Sequence, residues 1–520
     1  MYKILTVNGL DINSDISGVE LPPGTFTDGV NFRVKDDTLE TTEGNSLWYT
    51  CPCSVSTGRS ISANDGSKDY IISASSTGIF ITDGTQSGPI YNTGFSEIDP
   101  FDWSFDKLGP IVVANHPIVG ALYSYPIGIG SNFYFLPYSN LESFDPVYGR
   151  TAKVIRSHKT FLFLLNLTER VNNVSVEQID GYRWSHPADV NSIPPSWDET
   201  DQFFLAGKAN LGTQGGAIVD GLSLIDSFII YSENSIDSLT LTGDSFVWRR
   251  NTLTTNVGLL AKDCVVEVNG NHFLITPDDI IVNNGNEVKS ILFGKLRKHF
   301  RERLSSTYYK KSFAIHNKSD KEVWFCIPTG TSTDVDLAYV YNYYLDRWSI
   351  RDLPNNTRHL VSSSKTSNSN SWDSVQGQTW SQFQNATWGS MKQITPFDDT
   401  LFSVISDGQI LDIKDTLQPN NGTILERLNF PLEGLKQVTS LVRVYPKVKS
   451  SSPVIFRFGF QQHYGGPITW KPEVEYNPST QRKIDIRTTG ESHCWQIKNK
   501  NGEYFKFSGM DIEYTLSGAR

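Results

Sequence analysis

The chain has 520 residues and a formal net charge of −10, from 46 Lys and Arg against 56 Asp and Glu. That balance argues against a protein that coats nucleic acid, which needs a basic surface to neutralise phosphates. Only 20% of residues are charged, while 12 Trp, 22 Tyr and 29 Phe can fill large cores, which excludes a disordered acidic tail and a coiled coil. Abundant Thr, Val, Ile, Tyr and Phe, with three Met, point to β structure. The N-terminal stretch MYKILTVNGLDINSD lacks the apolar run of a signal peptide. The densest apolar stretch, Phe161 to Leu165, is too short to span a bilayer, so no membrane span is expected. The five cysteines are 51, 53, 264, 326 and 494. Their odd number and scatter read as reduced thiols.

In chain order, short apolar strands alternate with polar turns. Tyr70-Ile71-Ile72-Ser73-Ala74 precedes Gly78-Ile79-Phe80-Ile81-Thr82, and Phe161-Leu162-Phe163-Leu164 opens a further unit. Phe228-Ile229-Ile230-Tyr231 precedes Ser238-Leu239-Thr240-Leu241-Thr242. His272-Phe273-Leu274-Ile275 precedes Ile280-Ile281-Val282. Trp324-Phe325-Cys326-Ile327 leads to Ala338-Tyr339-Val340-Tyr341, and Leu401-Phe402-Ser403-Val404 to Gly408-Gln409-Ile410-Leu411. Each pair reads as a hairpin. Their recurrence at roughly 40–50 residues is the rhythm of a propeller blade of four strands. The fold expected is all-β: a β-propeller with additional β-rich regions and few helices. A set of ordinary β-sandwiches is the alternative.

One helix is expected near Gly294 to Leu304, where Ile291, Leu296, Phe300 and Leu304 share a face. Arg297, Lys298 and Arg301 point elsewhere. They read either as a contact patch for an acidic partner or as a solvated face. Residues 362–390 are rich in Ser, Asn and Gln and carry Trp372, Trp380 and Trp388. Trp in so polar a loop reads as buried anchors or an interface.

No motif for chemistry stands out. The nine His are scattered, and there is no H-E-x-x-H, Cys-x-x-Cys, G-x-S-x-G or Walker loop. Asp278-Asp279 and Asp398-Asp399 sit at turn positions, where Asp closes turns. Ser371 to Trp380 resembles the Asp-box of sialidase-like propellers, with two extra residues between Asp373 and Gly377 and no repetition elsewhere. No catalytic residue, metal or cofactor is expected.

Several segments together resemble the tail hub, or nozzle, proteins of short-tailed bacteriophages. They are Leu21 to Gly44, with Asn31 and Gly44, then Gly181-Tyr-Arg-Trp184-Ser-His-Pro187, followed by Trp197 and Ala206-Gly207. Gly215 to Ile236 follows, with Asp220, then Cys264 to Phe273, and Tyr341 to Pro354, with Trp348, Asp352 and Pro354. Phe507 to Tyr514 closes the set. Tyr343-Tyr344-Leu345 and His186 depart from the family's usual polar residues.

The resemblance implies a structural virion protein and no enzyme. It implies a homohexameric tube with a propeller in each subunit, below an adaptor ring, bearing tail fibres or spikes and passing double-stranded DNA at ejection. Such a protein resides in the virion tail and is assembled in the bacterial cytoplasm. An acidic wall suits that task, because it does not hold phosphates by counterion release. The expected division is an N-terminal extended strand or arm segment over 1–60, a propeller over 61–415 interrupted by the loop 362–390, and a further β region over 416–520. The rival function is a glycan-binding or glycan-cleaving propeller acting on bacterial surface polysaccharide.

Overall fold

Phe161-Leu162-Phe163-Leu164-Leu165 is apolar without a break because its strand, Phe161–Val171, is covered on both faces. Phe161, Phe163 and Leu165 enter one core with Phe228 and Ile230. Leu162 and Leu164 enter another with Val113 and Ala121. Successive strand residues point to opposite faces, so a sheet packed between two others needs an unbroken apolar run. The same division recurs at Ile71 against Ile72, at Phe228 against Ile229, and at Trp324 against Phe325.

The structure is a computed structural model. It describes every residue except 1, 36–37, 52–56, 67, 93, 95–97, 140–141, 145–147, 172–173, 244–246, 365–398, 415–421, 435–436 and 520. The protein is all-β apart from one short helix, α1 (Arg297–Arg303), and two 3-10 turns among these residues. Five antiparallel four-stranded sheets follow one another, each in simple up-and-down order. They run from Thr57–Asn64 to Ser87–Asn92, Ser104–Leu108 to Tyr134–Phe135, Arg150–His158 to Gly207–Asn210, Ile218–Leu224 to Trp248–Thr254, and Val265–Val268 to Val288–Ser290.

A seven-stranded sheet follows. Its long strand Arg347–Ser364 pairs through its first part with Val335–Asn342 and through its last part with Asp399–Ile405. It therefore serves as the last strand of a sixth group and the first strand of a seventh. The seventh group ends on Ser46–Thr50, which pairs with Gln409–Asp412. The first strands of consecutive groups touch in order, and the strand Arg347–Ser364 touches Thr57–Asn64, so the series closes on itself.

The two ends of the chain fold together. Tyr2–Val7 and Thr38–Thr41 pair with Phe505–Ala519, and Asp28–Val30 pairs with Ile424–Phe430. Of residues 1–60, expected as an extended strand or arm segment, Tyr2–Val7, Asp28–Val30, Phe32–Lys35 and Thr38–Thr41 are thus strands of two six-stranded sheets otherwise built from 424–519, while Ser46–Thr50 and Thr57–Asn64 belong to the ring. The physical cause is their alternation: Val7, Ile12, Phe26, Phe32 and Leu39 are buried in one core with Phe456, Trp495, Phe507 and Ile512. That core continues into the fourth, fifth and sixth groups of the ring.

The helix is shorter than expected. Gly294 has φ 73°, outside the helical region, so the helix starts after Leu296. Leu296 and Phe300 are buried as expected, with Ile291 and Leu304 packed beside them.

Two-sided burial sets a testable cost. Phe163 is fully buried and stacked on Phe228 with ring centroids 4.2 Å apart. Phe163→Ala is expected to lower unfolding free energy by about 3–5 kcal/mol. Val174→Ser, at an exposed position of the neighbouring strand, is expected to stay within about 0.5 kcal/mol. Urea unfolding of both variants checks this.

Candidate functional site

The first strands of all seven groups surround one cavity of about 310 Å³. Arg59 and Ser60 come from the first group, Phe105 and Asp106 from the second, and Arg156 from the third. Asp220 comes from the fourth, Asp263 and Val265 from the fifth, Ala314 from the sixth and His359 from the seventh.

Charges this deep must be paired, since an unpaired buried ion costs several kcal/mol. Arg156 meets that demand with all five of its N–H donors. Nε and Nη2 donate to the two carboxylate oxygens of Asp220, each at 2.8 Å. Nη2 also donates to Asp263 at 2.7 Å. Nη1 donates to the carbonyls of Phe105 at 2.9 Å and Ile155 at 3.3 Å. The Asp263 amide donates to Asp220 at 2.8 Å. Arg59 closes the group: its Nε lies 3.0 Å from Asp263 as an ion pair, and its Nη2 points at the carbonyls of Lys262 and Ser312. One ionic node thus joins strands of the first six groups.

Burial would raise the Asp263 carboxyl, but Arg59 and Arg156 outweigh it and hold it well below the usual carboxylate range. Asp106 has no such contact. Burial pushes its carboxyl up, against the pull of Arg156 and two backbone amides. His359 is pushed down to about 3 by burial and by Arg59, so it is neutral. Burial lowers the Lys262 amine to about 8; it donates to the Asp102 carbonyl at 2.7 Å. Among the described residues, no three His, Cys, Asp or Glu gather as metal ligands.

Of the residues marked in the sequence, Asp220 is the one in this node. Arg59, Arg156, Asp263 and His359 carried no motif, because Arg156 meets carboxylates 64 and 107 residues away. A second group forms where the ring meets the terminal sheets. Asn31 Nδ2 donates to Asp352 at 3.0 Å, and the Asp352 amide donates back to Asn31 Oδ1 at 2.9 Å. Pro354 lies beside them, with Glu43 and Asn45, the neighbours of Gly44.

A third group is Trp184 with Gly207, which are register partners. A Cβ on Gly207 would come within 2.3 Å of the Trp184 ring, so no larger residue fits. Pro187 is half-buried in the loop that follows Trp184. Trp348 stands apart as a core residue, fully buried and 4.8 Å from the Tyr341 ring.

Arg297, Lys298 and Arg301 lie together on α1, each facing an acid. Arg297 meets Asp279 at 3.4 Å, Arg301 meets Asp278 at 3.4 Å, and Lys298 meets Glu302 at 3.9 Å. Asp15 also accepts the amides of Arg297 and Lys298. The patch is therefore locally neutralised rather than basic. Trp372, Trp380 and Trp388, with Asp373, lie outside the described residues.

Removing one partner of the node strands a buried charge. Asp220→Asn is expected to cost about 3–5 kcal/mol. The double change Arg156→Gln with Asp220→Asn is expected to cost clearly less than the two single changes added, as a denaturant double-mutant cycle would show.

Acid should act through neutral buried imidazoles. Burial pushes His158, His272 and His493 each down to about 4. Between pH 6.5 and 4 the unfolded chain binds protons that the folded chain refuses, so stability is expected to fall as pH falls through that window. The slope is up to about 1.4 kcal/mol per pH unit for each imidazole. Urea midpoints between pH 7 and 4 test it, and His272→Gln should flatten the slope.

No family model matches the chain, and no curated protein matches it. Among solved structures, the computationally designed Ika8 protein is similar, with 11% identity, a TM-score of 0.36, 71% of this chain covered and 99% of that one. The extracellular domain of a hybrid two component system from B. thetaiotaomicron has 10% identity, a TM-score of 0.26, and coverage of 55% and 39%.

Proposed function

We propose that this chain is the subunit of the tail hub, or nozzle, of a short-tailed bacteriophage. In this reading the seven sheet groups are the blades of one β-propeller, closed by the strand Ser46–Thr50. Six copies form a tube below the adaptor ring, carry fibres or spikes, and conduct double-stranded DNA at ejection. The observation that supports it most is that the signature residues Asn31 and Asp352, 321 residues apart, are hydrogen-bonded to each other, with Pro354 beside them.

Charge supports the same role. The chain is acidic overall, and in α1, its densest basic run, Arg297, Lys298 and Arg301 each pair with an acid. Such a wall offers few sites where phosphate can displace counterions. The axial node leaves only a cavity of about 310 Å³ at the centre of each ring, too small for a duplex, which would pass between copies. A glycan-cleaving role has less support, since Asp220 and Asp263 both accept from Arg156 instead of standing free as an acid and base pair.

The test is electron microscopy of purified particles labelled with an antibody to this chain. Six copies in a tube at the tail are expected. Label on the capsid shell, or no label on particles, would overturn the reading.

A further inference from the structure

Beside the Asn31–Asp352 pair lies a small polar cavity of about 100 Å³, room for several water molecules. Arg351 lines it. This side chain is 8% exposed, yet among the described residues no carboxylate comes within ion-pair distance of its guanidinium. Its Nη2 donates to the carbonyls of Glu43 at 2.9 Å and Ile413 at 2.6 Å. Its Nε and Nη1 have no acceptor among those residues. One face of the guanidinium rests 5.1 Å from the centre of the Trp324 ring.

The nearby acids are engaged elsewhere. Glu43 accepts from Arg33 at 3.1 Å, Asp352 accepts from Asn31, and Asp320 pairs with Lys414. Glu322 accepts from Trp324 and Asn317, and burial raises its carboxyl, aided by Asp320. A buried guanidinium held by two carbonyls alone is costly, and burial lowers Arg351 to about 10. Its Nε–H and Nη1–H point to different sides of the guanidinium, and each is open to donate one charge-assisted hydrogen bond to an oxyanion oxygen. Asn45, Thr42 and Asn355 add polar groups around the same space.

We propose that this cavity is a binding site for a small oxyanion, either free phosphate or a carboxylate presented by another chain, with Arg351 as the charged ligand. The inference is independent of the tail-hub reading.

The experiment follows thermal unfolding of the full chain in sodium phosphate, sodium acetate and sodium chloride at matched ionic strength and pH 7. A saturable rise of about 1–3 °C in phosphate or acetate over chloride is expected. Phosphate alone protecting would identify free phosphate as the occupant, and acetate alone a carboxylate. Arg351→Gln should abolish the rise. Should that variant fail to fold, Asn355→Leu, at an exposed position at the edge of the cavity, keeps the guanidinium and is expected to weaken the response several-fold. Equal midpoints in all three salts, or an undiminished rise in both variants, would overturn the proposal.

Discussion

A four-stranded sheet with apolar side chains on both faces has to be covered twice. A row of such sheets can satisfy that demand only if the last one meets the first. Here the closure is made by Ile71 of the first group against Phe402, Val404 and Ile410 of the seventh. Everything else in the ring follows from it: the up-and-down order, the shared cores between neighbours, and the convergence of seven first strands on one axis. Convergence brings polar and charged side chains into a narrow space, and the Arg156 node is the solution found there. The apolar cores supply the stability. The node ties residues of different groups to one another at the axis.

The terminal sheets meet the same demand differently. Neither the first 45 residues nor the last hundred form a complete two-sheet core alone, because strands from the N-terminal end extend one side of each sheet built from the C-terminal end. The composite shares its core with three groups of the ring. Asn31 with Asp352 is a polar fastener at that seam, and Tyr504 with Glu40 ties the two chain ends to each other. Changes at the seam therefore bear on both parts of the molecule at once.

The parts of this architecture that were legible in the sequence are the doubly covered middle strands. The hairpins at Tyr70, Phe228, His272, Trp324 and Leu401 are all second and third strands of their groups, and their apolar runs are unbroken for that reason. First strands such as Arg150–His158 mix Arg, Lys and Ser with Val and Ile because they face the axis, so they carry no clean pattern. The segment over 1–60, expected as an extended strand or arm, gave no sign of its distant partners for a related cause. Strands of two to six residues separated by turns look unstructured until their partners, four hundred residues away, are known. The site was the least legible part. Asp220 stood out only within a family resemblance, and Arg351, lying beside two marked residues, carried no mark of its own.

The strand Ser46–Thr50 also has a meaning in time. It is made early and pairs with Gln409–Asp412, roughly 360 residues later. At ribosomal speeds of about 5–20 residues per second, it waits roughly 20–70 s for its partner. During that interval the edge of Tyr2–Val7 and the faces of Phe32 and Leu39 also lack their cover, which comes from the end of the chain. The nascent protein thus carries unpaired strand edges for most of its synthesis, a state open to wrong pairing with neighbouring chains. Its yield in a cell is then governed by how well that interval is shielded, and only afterwards by the stability of the finished ring.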